Sequence, residues 1–161
     1  MPTSFVQSDA RDVIRALNML IDTCTDGERG YRHAAADVHD AEVKTLLTGY
    51  ADQRARFVRE LQVAVAGLGM PDPPVSQGSL MGALHRGWID TRAKVGTPSV
   101  QTILSECERG ELVARKAYEE ALQTLMLVDV NTLVLSQFAA VKGAHEALHG
   151  LVEKGLVEKG R

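Results

Sequence analysis

Apolar residues spaced three and four apart run through four long stretches of this 161-residue chain, and that spacing specifies amphipathic helices. The first stretch reads Ile14, Leu17, Ile21, Cys24, Tyr31, Ala35 and Val38. The second reads Val43, Leu46, Leu47, Tyr50, Phe57, Leu61, Ala64 and Leu68. The third runs through Val100, Leu104, Cys107, Ala114, Tyr118, Ala121 and Leu125, and the fourth through Val134, Phe138, Val141, Leu148 and Val152. No convincing strand lies between them. The chain therefore reads as all-α.

The boundaries follow from local chemistry. Ser8 or Asp9 caps the first helix, and Asp40 breaks it. Gly67 and Gly69 stop the second. Pro71, Pro73 and Pro74 make the next segment a linker, because proline lacks the N–H a continuing helix needs. Leu84 and Trp88, one turn apart, suggest a short extra helix within Leu80 to Val95. Thr97 then serves as a cap with Pro98 at the first helical position. A turn around Asp129 to Asn131 separates the last two helices.

The short link between the first two helices makes them antiparallel neighbours. The connection between the second and third is about 30 residues, enough for a crossover along the whole bundle, as in ferritin-like folds. The expected architecture is a single ferritin-like four-helix bundle over residues 1–161, with a core from about 8 to 154 and a tail at 155–161. The tail repeats Leu-Val-Glu-Lys-Gly at once (151–155 and 156–160) and reads as a frayed, solvated helix end.

A second duplication carries more chemistry. Cys24-x-x-Gly27-Glu28 returns as Cys107-x-x-Gly110-Glu111, 83 positions later, on the first and third helices. Each copy drops a carboxylate into an apolar stripe. Gln53 and His145 interrupt the stripes of the second and fourth helices in the same way. A buried charge needs a partner or a metal. Carboxylate-bridged di-metal bundles take a single Glu from each of two helices and a Glu-x-x-His pair from each of the other two. Such donor sets suit iron or manganese.

Glu28 and Glu111 fit the single-glutamate positions, but the paired positions read Gln53-x-x-Arg56 and Lys142-x-x-His145. Arg56 and Lys142 are thus placed to replace a metal's positive charge with ion pairs. Three readings of the set stand: a structural polar network, a weakened metal site built on Glu28, Glu111 and His145, or partly exposed residues of no special role. The paired glycines, Gly27 and Gly110, suggest close helix approach or a local bulge. Cys24 and Cys107 form a possible thiol pair. Antiparallel helices with level glutamates would hold them roughly 12 Å apart, too far for a disulfide, so both read as small buried hydrophobes. His33, His39, His85 and His149 read as surface or boundary residues.

Composition narrows the function classes. A net charge of −3 and no clustered basic face give no footprint for nucleic acid. No apolar run reaches the roughly 18 residues of a membrane span. The N-terminus shows no secretory pattern and two cysteines make no disulfide framework, so a reducing cytoplasm is expected. No Ser/His/Asp or Cys/His arrangement has a recognisable context, and no glycine loop follows a strand. An enzyme is not expected.

Three motifs together carry a resemblance: Thr23 to Arg32, Ala83 to Trp88, and Glu106 to Glu111. They resemble a bacterial four-helix-bundle family of unknown function within the ferritin-like superfamily, over roughly Asp9 to Leu151. The resemblance implies the fold and a bacterial cytoplasmic protein, and it supplies no activity. The superfamily's ligands carry over to Glu28, Glu111 and His145 alone. The resulting expectation is a non-catalytic bundle with a structural, stress-associated or partner-binding role and a degenerate di-iron site. No cofactor is expected and a homo-oligomer is allowed. The alternative is a protein binding iron, manganese or zinc through those three residues.

Overall fold

The computed structural model describes residues 10–69, 96, 98–124 and 128–159, with side chains described to residue 155 except at 128 and 129. Among them lie four α-helices and no strand: α1 (Ala10–Asp37), α2 (Ala41–Gly67), α3 (Val100–Thr124) and α4 (Val128–Lys159). Caps at residues 8 and 9, the proline linker and the short helix between Leu80 and Val95 fall outside the described residues.

Asp40 does more than end α1. Its backbone is extended and its carboxylate accepts the Val43 N–H at 2.9 Å, so it is the N-cap of α2. At the other end, Gly69 takes φ +73°, the left-handed conformation that glycine allows, just past the C-cap Leu68. The cap of α3 is Ser99, so Pro98 precedes the helix instead of opening it, and Thr97 lies outside the described residues. The Ser99 hydroxyl accepts the Thr102 N–H at 3.2 Å and its carbonyl accepts from Ile103 at 3.0 Å. Asp129 to Asn131 lie inside α4, not in a turn. The tail is also helical, through Lys159, and Gly155 is buried where a Cβ would overlap the Gln101 side chain.

The three-residue link Val38–Asp40 makes α1 and α2 antiparallel. Cys24 meets Tyr118 and Tyr31 meets Glu111, so α1 and α3 are antiparallel too. It follows that α2 and α3 run in the same direction. Gln137 meets Tyr118 while His149 meets Glu108, which makes α4 antiparallel to α3. The helices α1 and α2 pack closely, as do α3 and α4 and, less extensively, α1 and α3, whereas α2 and α4 touch little.

The core divides in two. One apolar cluster contains Leu17, Leu20, Cys24, Phe57, Leu61, Tyr118, Val134 and Val141. The other contains Tyr31, Ala34, Val38, Leu47, Ala51, Ile103, Leu104 and Leu148. Between them lies a layer of polar side chains.

Candidate functional site

Arg54 stands at the centre of that layer, and its guanidinium is one of the largest fully buried side chains in the molecule, only 1% exposed. From α2 it reaches Glu111 on α3, where Nη2 donates to Oε1 at 2.5 Å. The Tyr31 hydroxyl, from α1, donates to the same oxygen. Arg54 Nη1 donates to Gln53 Oε1 at 2.8 Å, and the guanidinium also rides over the Phe57 ring at 5.5 Å from its centroid. Three helices are tied together at one carboxylate. Glu111 Oε2, by contrast, is buried and has no hydrogen-bond partner among the described residues.

The electrostatics are those of a closed pair. Burial on its own would lower the Arg54 pKa, but the adjacent Glu111 carboxylate reverses this and holds the guanidinium above its usual range. Burial, and then the Glu111 charge, raises Tyr31 well above a normal tyrosine, so it remains a donor.

A second polar chain crosses the bundle nearer the first apolar cluster. Gln137 Nε2 donates to Glu60 Oε2 at 2.8 Å, which fixes the amide's orientation because a carboxylate only accepts. Its Oε1 therefore accepts from the Tyr118 hydroxyl at 2.8 Å. With that proton committed, the Cys24 thiol donates to Tyr118 across 3.1 Å.

The residues singled out by sequence scatter. Glu111 is in the buried layer. Glu28 sits near the surface, paired with Arg32 at 2.9 Å, and Arg32 also reaches Asp52 at 3.1 Å. Gln53 is half-buried beside Arg54. Arg56, expected in the buried network, is exposed and faces Glu60 at 3.6 Å. Lys142, expected there too, is half-buried with Nζ 4.7 Å from the Phe138 ring centroid. His145 is half-buried, its ring stacked 6.2 Å from His149, which in turn bonds Glu108 at 2.6 Å. Cys24 and Cys107 are both free; burial pushes their thiols up to about 11 and about 12.

Arg54, Gln137 and the polar role of Tyr118 are what the sequence reading missed. In α2 the buried positions are Leu47, Ala51, Arg54, Phe57, Leu61 and Val65. Steps of three and four pass through Arg54 as readily as through Gln53. In α4 the buried series Val134, Gln137, Val141, Ala144, Leu148 lies one residue before the expected Phe138 and His145. The signal was present: both alternatives obey the helical repeat, and the apolar residues around them do not choose.

Among the described residues, no three His, Cys, Asp or Glu side chains gather to hold a metal ion. The donors of a carboxylate-bridged metal pair are not assembled among the described residues. Glu111, the carboxylate at the centre of the buried layer, is tied to a guanidinium, which cannot ligate a cation and repels it.

These features define an all-α protein whose core is split by a buried arginine–glutamate layer. The chain belongs to the family described as "Domain of unknown function (DUF2383)", whose pattern matches residues 12–124. That span holds both Cys-x-x-Gly-Glu copies and Arg54, and it stops where α3 ends. No curated protein matches the chain. Among the described residues no helix is long and apolar enough to cross a membrane.

Proposed function

We propose that this chain is a non-catalytic ferritin-like bundle, with a structural, stress-associated or partner-binding role, in which an internal cation has taken the place of a metal. The observation that carries the proposal is the Arg54–Glu111 pair, set between two apolar cores at the level of the second Cys-x-x-Gly-Glu copy. The antiparallel α1 and α3, the parallel α2 and α3 and the long connection between them support ferritin-like ancestry.

The loss of symmetry supports it too. The residue 83 positions after Tyr31 is Ala114, so no tyrosine reaches back to Glu28. Setting Gln53-x-x-Arg56 against Lys142-x-x-His145 puts Gly143 opposite Arg54, so Glu28 has no buried arginine either. One half of the bundle keeps its carboxylate inside. The other has turned it towards solvent.

The test is elemental analysis of protein expressed with added iron, manganese and zinc, together with helicity measured in excess chelator. Metal-free protein of unchanged helicity is expected. Near-stoichiometric metal that is lost in Glu28→Ala and Glu111→Ala variants overturns the proposal in favour of a metalloprotein.

A further inference from the structure

Glu111 borders an open space as well as a closed ion pair. Between α1 and α3 lies a cavity of about 80 Å³, walled by Gly30, Ala34, Ile103, Gly110 and Ala114, with Glu111 at its polar side and Asp26, Glu106 and Arg109 also in its lining. Gly30 and Gly110 leave the two helix backbones without side chains at this level. A Cβ built on Gly30 meets no atom within 4 Å, so the space there is real rather than filled by a neighbour. A water needs about 10–15 Å³ of such space, and the cavity therefore takes roughly five to eight non-hydrogen atoms.

The second observation is the unused oxygen. Glu111 is 2% exposed, and its Oε2 lacks any hydrogen-bond partner among the described residues. A buried carboxylate oxygen left unpaired is costly, and something that donates a hydrogen bond belongs beside it. Oε1 is already saturated by Tyr31 and Arg54, so the donor must come to Oε2.

We infer that this cavity binds a small neutral hydroxyl compound with an apolar body, of the size and shape of a phenol, whose O–H donates to Glu111 Oε2. Charge decides between a hydroxyl and an amine. Arg54 already neutralises Glu111 and repels a second cation there, while of the other carboxylates in the lining Glu106 is taken by Arg109 at 3.0 Å and Asp26 is engaged too. A pure hydrocarbon would fill the apolar walls and leave the oxygen unpaired. The inference stands whether or not the bundle descends from a metalloprotein.

Methyl NMR titrations of the full chain with phenol, toluene and benzylamine test it. Phenol is expected to shift the Ala34, Ile103 and Ala114 methyls saturably and to bind at least tenfold more tightly than either comparator. Gly30→Leu, which fills the space, is expected to abolish binding. If that variant does not fold, Gly30→Ala places a methyl in the same space and is expected to weaken phenol several-fold. No saturable shift with phenol, which would mean that water alone occupies the site, overturns the inference. So does equal affinity for toluene or benzylamine, or binding unaffected by the Gly30 substitutions.

Discussion

Gly27 and Arg54 pack against each other so that a Cβ on Gly27 would stand 3.5 Å from Arg54 Cγ. The glycine of the first Cys-x-x-Gly-Glu copy thus clears a lane for the arginine stem on its way to Glu111. At 3.5 Å a single methyl is in ordinary contact and needs no movement. Gly27→Ala is expected to hold or raise stability, because alanine gains up to about 1 kcal/mol over glycine in a helix. Gly27→Leu drives into the arginine stem and is expected to cost about 1–3 kcal/mol, as overpacking does. Urea denaturation of the two variants checks this, and a leucine variant as stable as the alanine one would refute the packing role.

The ion pair itself makes a stronger prediction. Arg54→Met strands a buried carboxylate, and Glu111→Gln strands a buried guanidinium. Each is expected to cost about 3–5 kcal/mol, the range for breaking a buried pair from one side. The double variant leaves neither charge behind, and its loss should fall short of the summed single losses by about 0.5–3 kcal/mol. Strict additivity in a double-mutant cycle would mean that the two groups do not sense each other.

Much of the architecture was legible because long apolar stripes and proline breaks are strong signals. The site was legible only in part, and the reason recurs in three helices. A seven-residue gap in a helical stripe is closed by a step of three and four or of four and three. Between Cys24 and Tyr31 the fold uses Gly27, leaving Glu28 near the surface with Arg32. In α2 it uses Arg54 next to Gln53, and in α4 it uses Ala144 next to His145. One residue is a rotation of about 100° around the axis, enough to exchange a buried side chain for a surface one. Glu111 escaped the ambiguity because Leu104 and Tyr118 stand seven residues either side of it, both buried. Burial of an arginine runs against composition-based expectation. It is intelligible only once Glu111, Tyr31 and Gln53 are seen around it.

Alkaline pH should destabilise the fold in a defined way. Burial raises Cys24 from 9.0 to about 11 and Cys107 from 9.0 to about 12, and it raises Tyr31 and Tyr118 as well. These acids stay neutral in the folded chain while the unfolded chain releases their protons. Their contribution is complete below about pH 9 and is lost as pH rises towards the folded values. Each thiol subtracts about 1.4 kcal/mol per pH unit within that window. Urea midpoints are expected to be level from pH 7 to 8.5 and to fall steeply by pH 10.5. The double variant Cys24→Ala and Cys107→Ala should show a shallower fall, and an equal slope would show that the thiols are not responsible. The same burial predicts that both native thiols react far more slowly with a disulfide reagent at pH 8 than they do in urea.

The chain from Cys24 through Tyr118 to Gln137 holds a built-in reserve. The Tyr118 proton goes to Gln137 Oε1, and the Cys24 thiol donates to the tyrosine oxygen. When Gln137 is replaced by leucine, the Tyr118 hydroxyl turns and donates to Cys24 Sγ instead, a weaker acceptor already in place at 3.1 Å. Gln137→Leu alone is therefore expected to cost about 1 kcal/mol. In a Cys24→Ala background the reserve acceptor is gone and the buried hydroxyl is orphaned. There the same substitution should cost about 1–3 kcal/mol more than it does in the natural chain. Glu60 does not blur the comparison, since its half-buried carboxylate turns to water once the amide is removed. A thermodynamic cycle over the four proteins reads the difference directly. Equal cost in both backgrounds would show that the thiol never serves as the second acceptor.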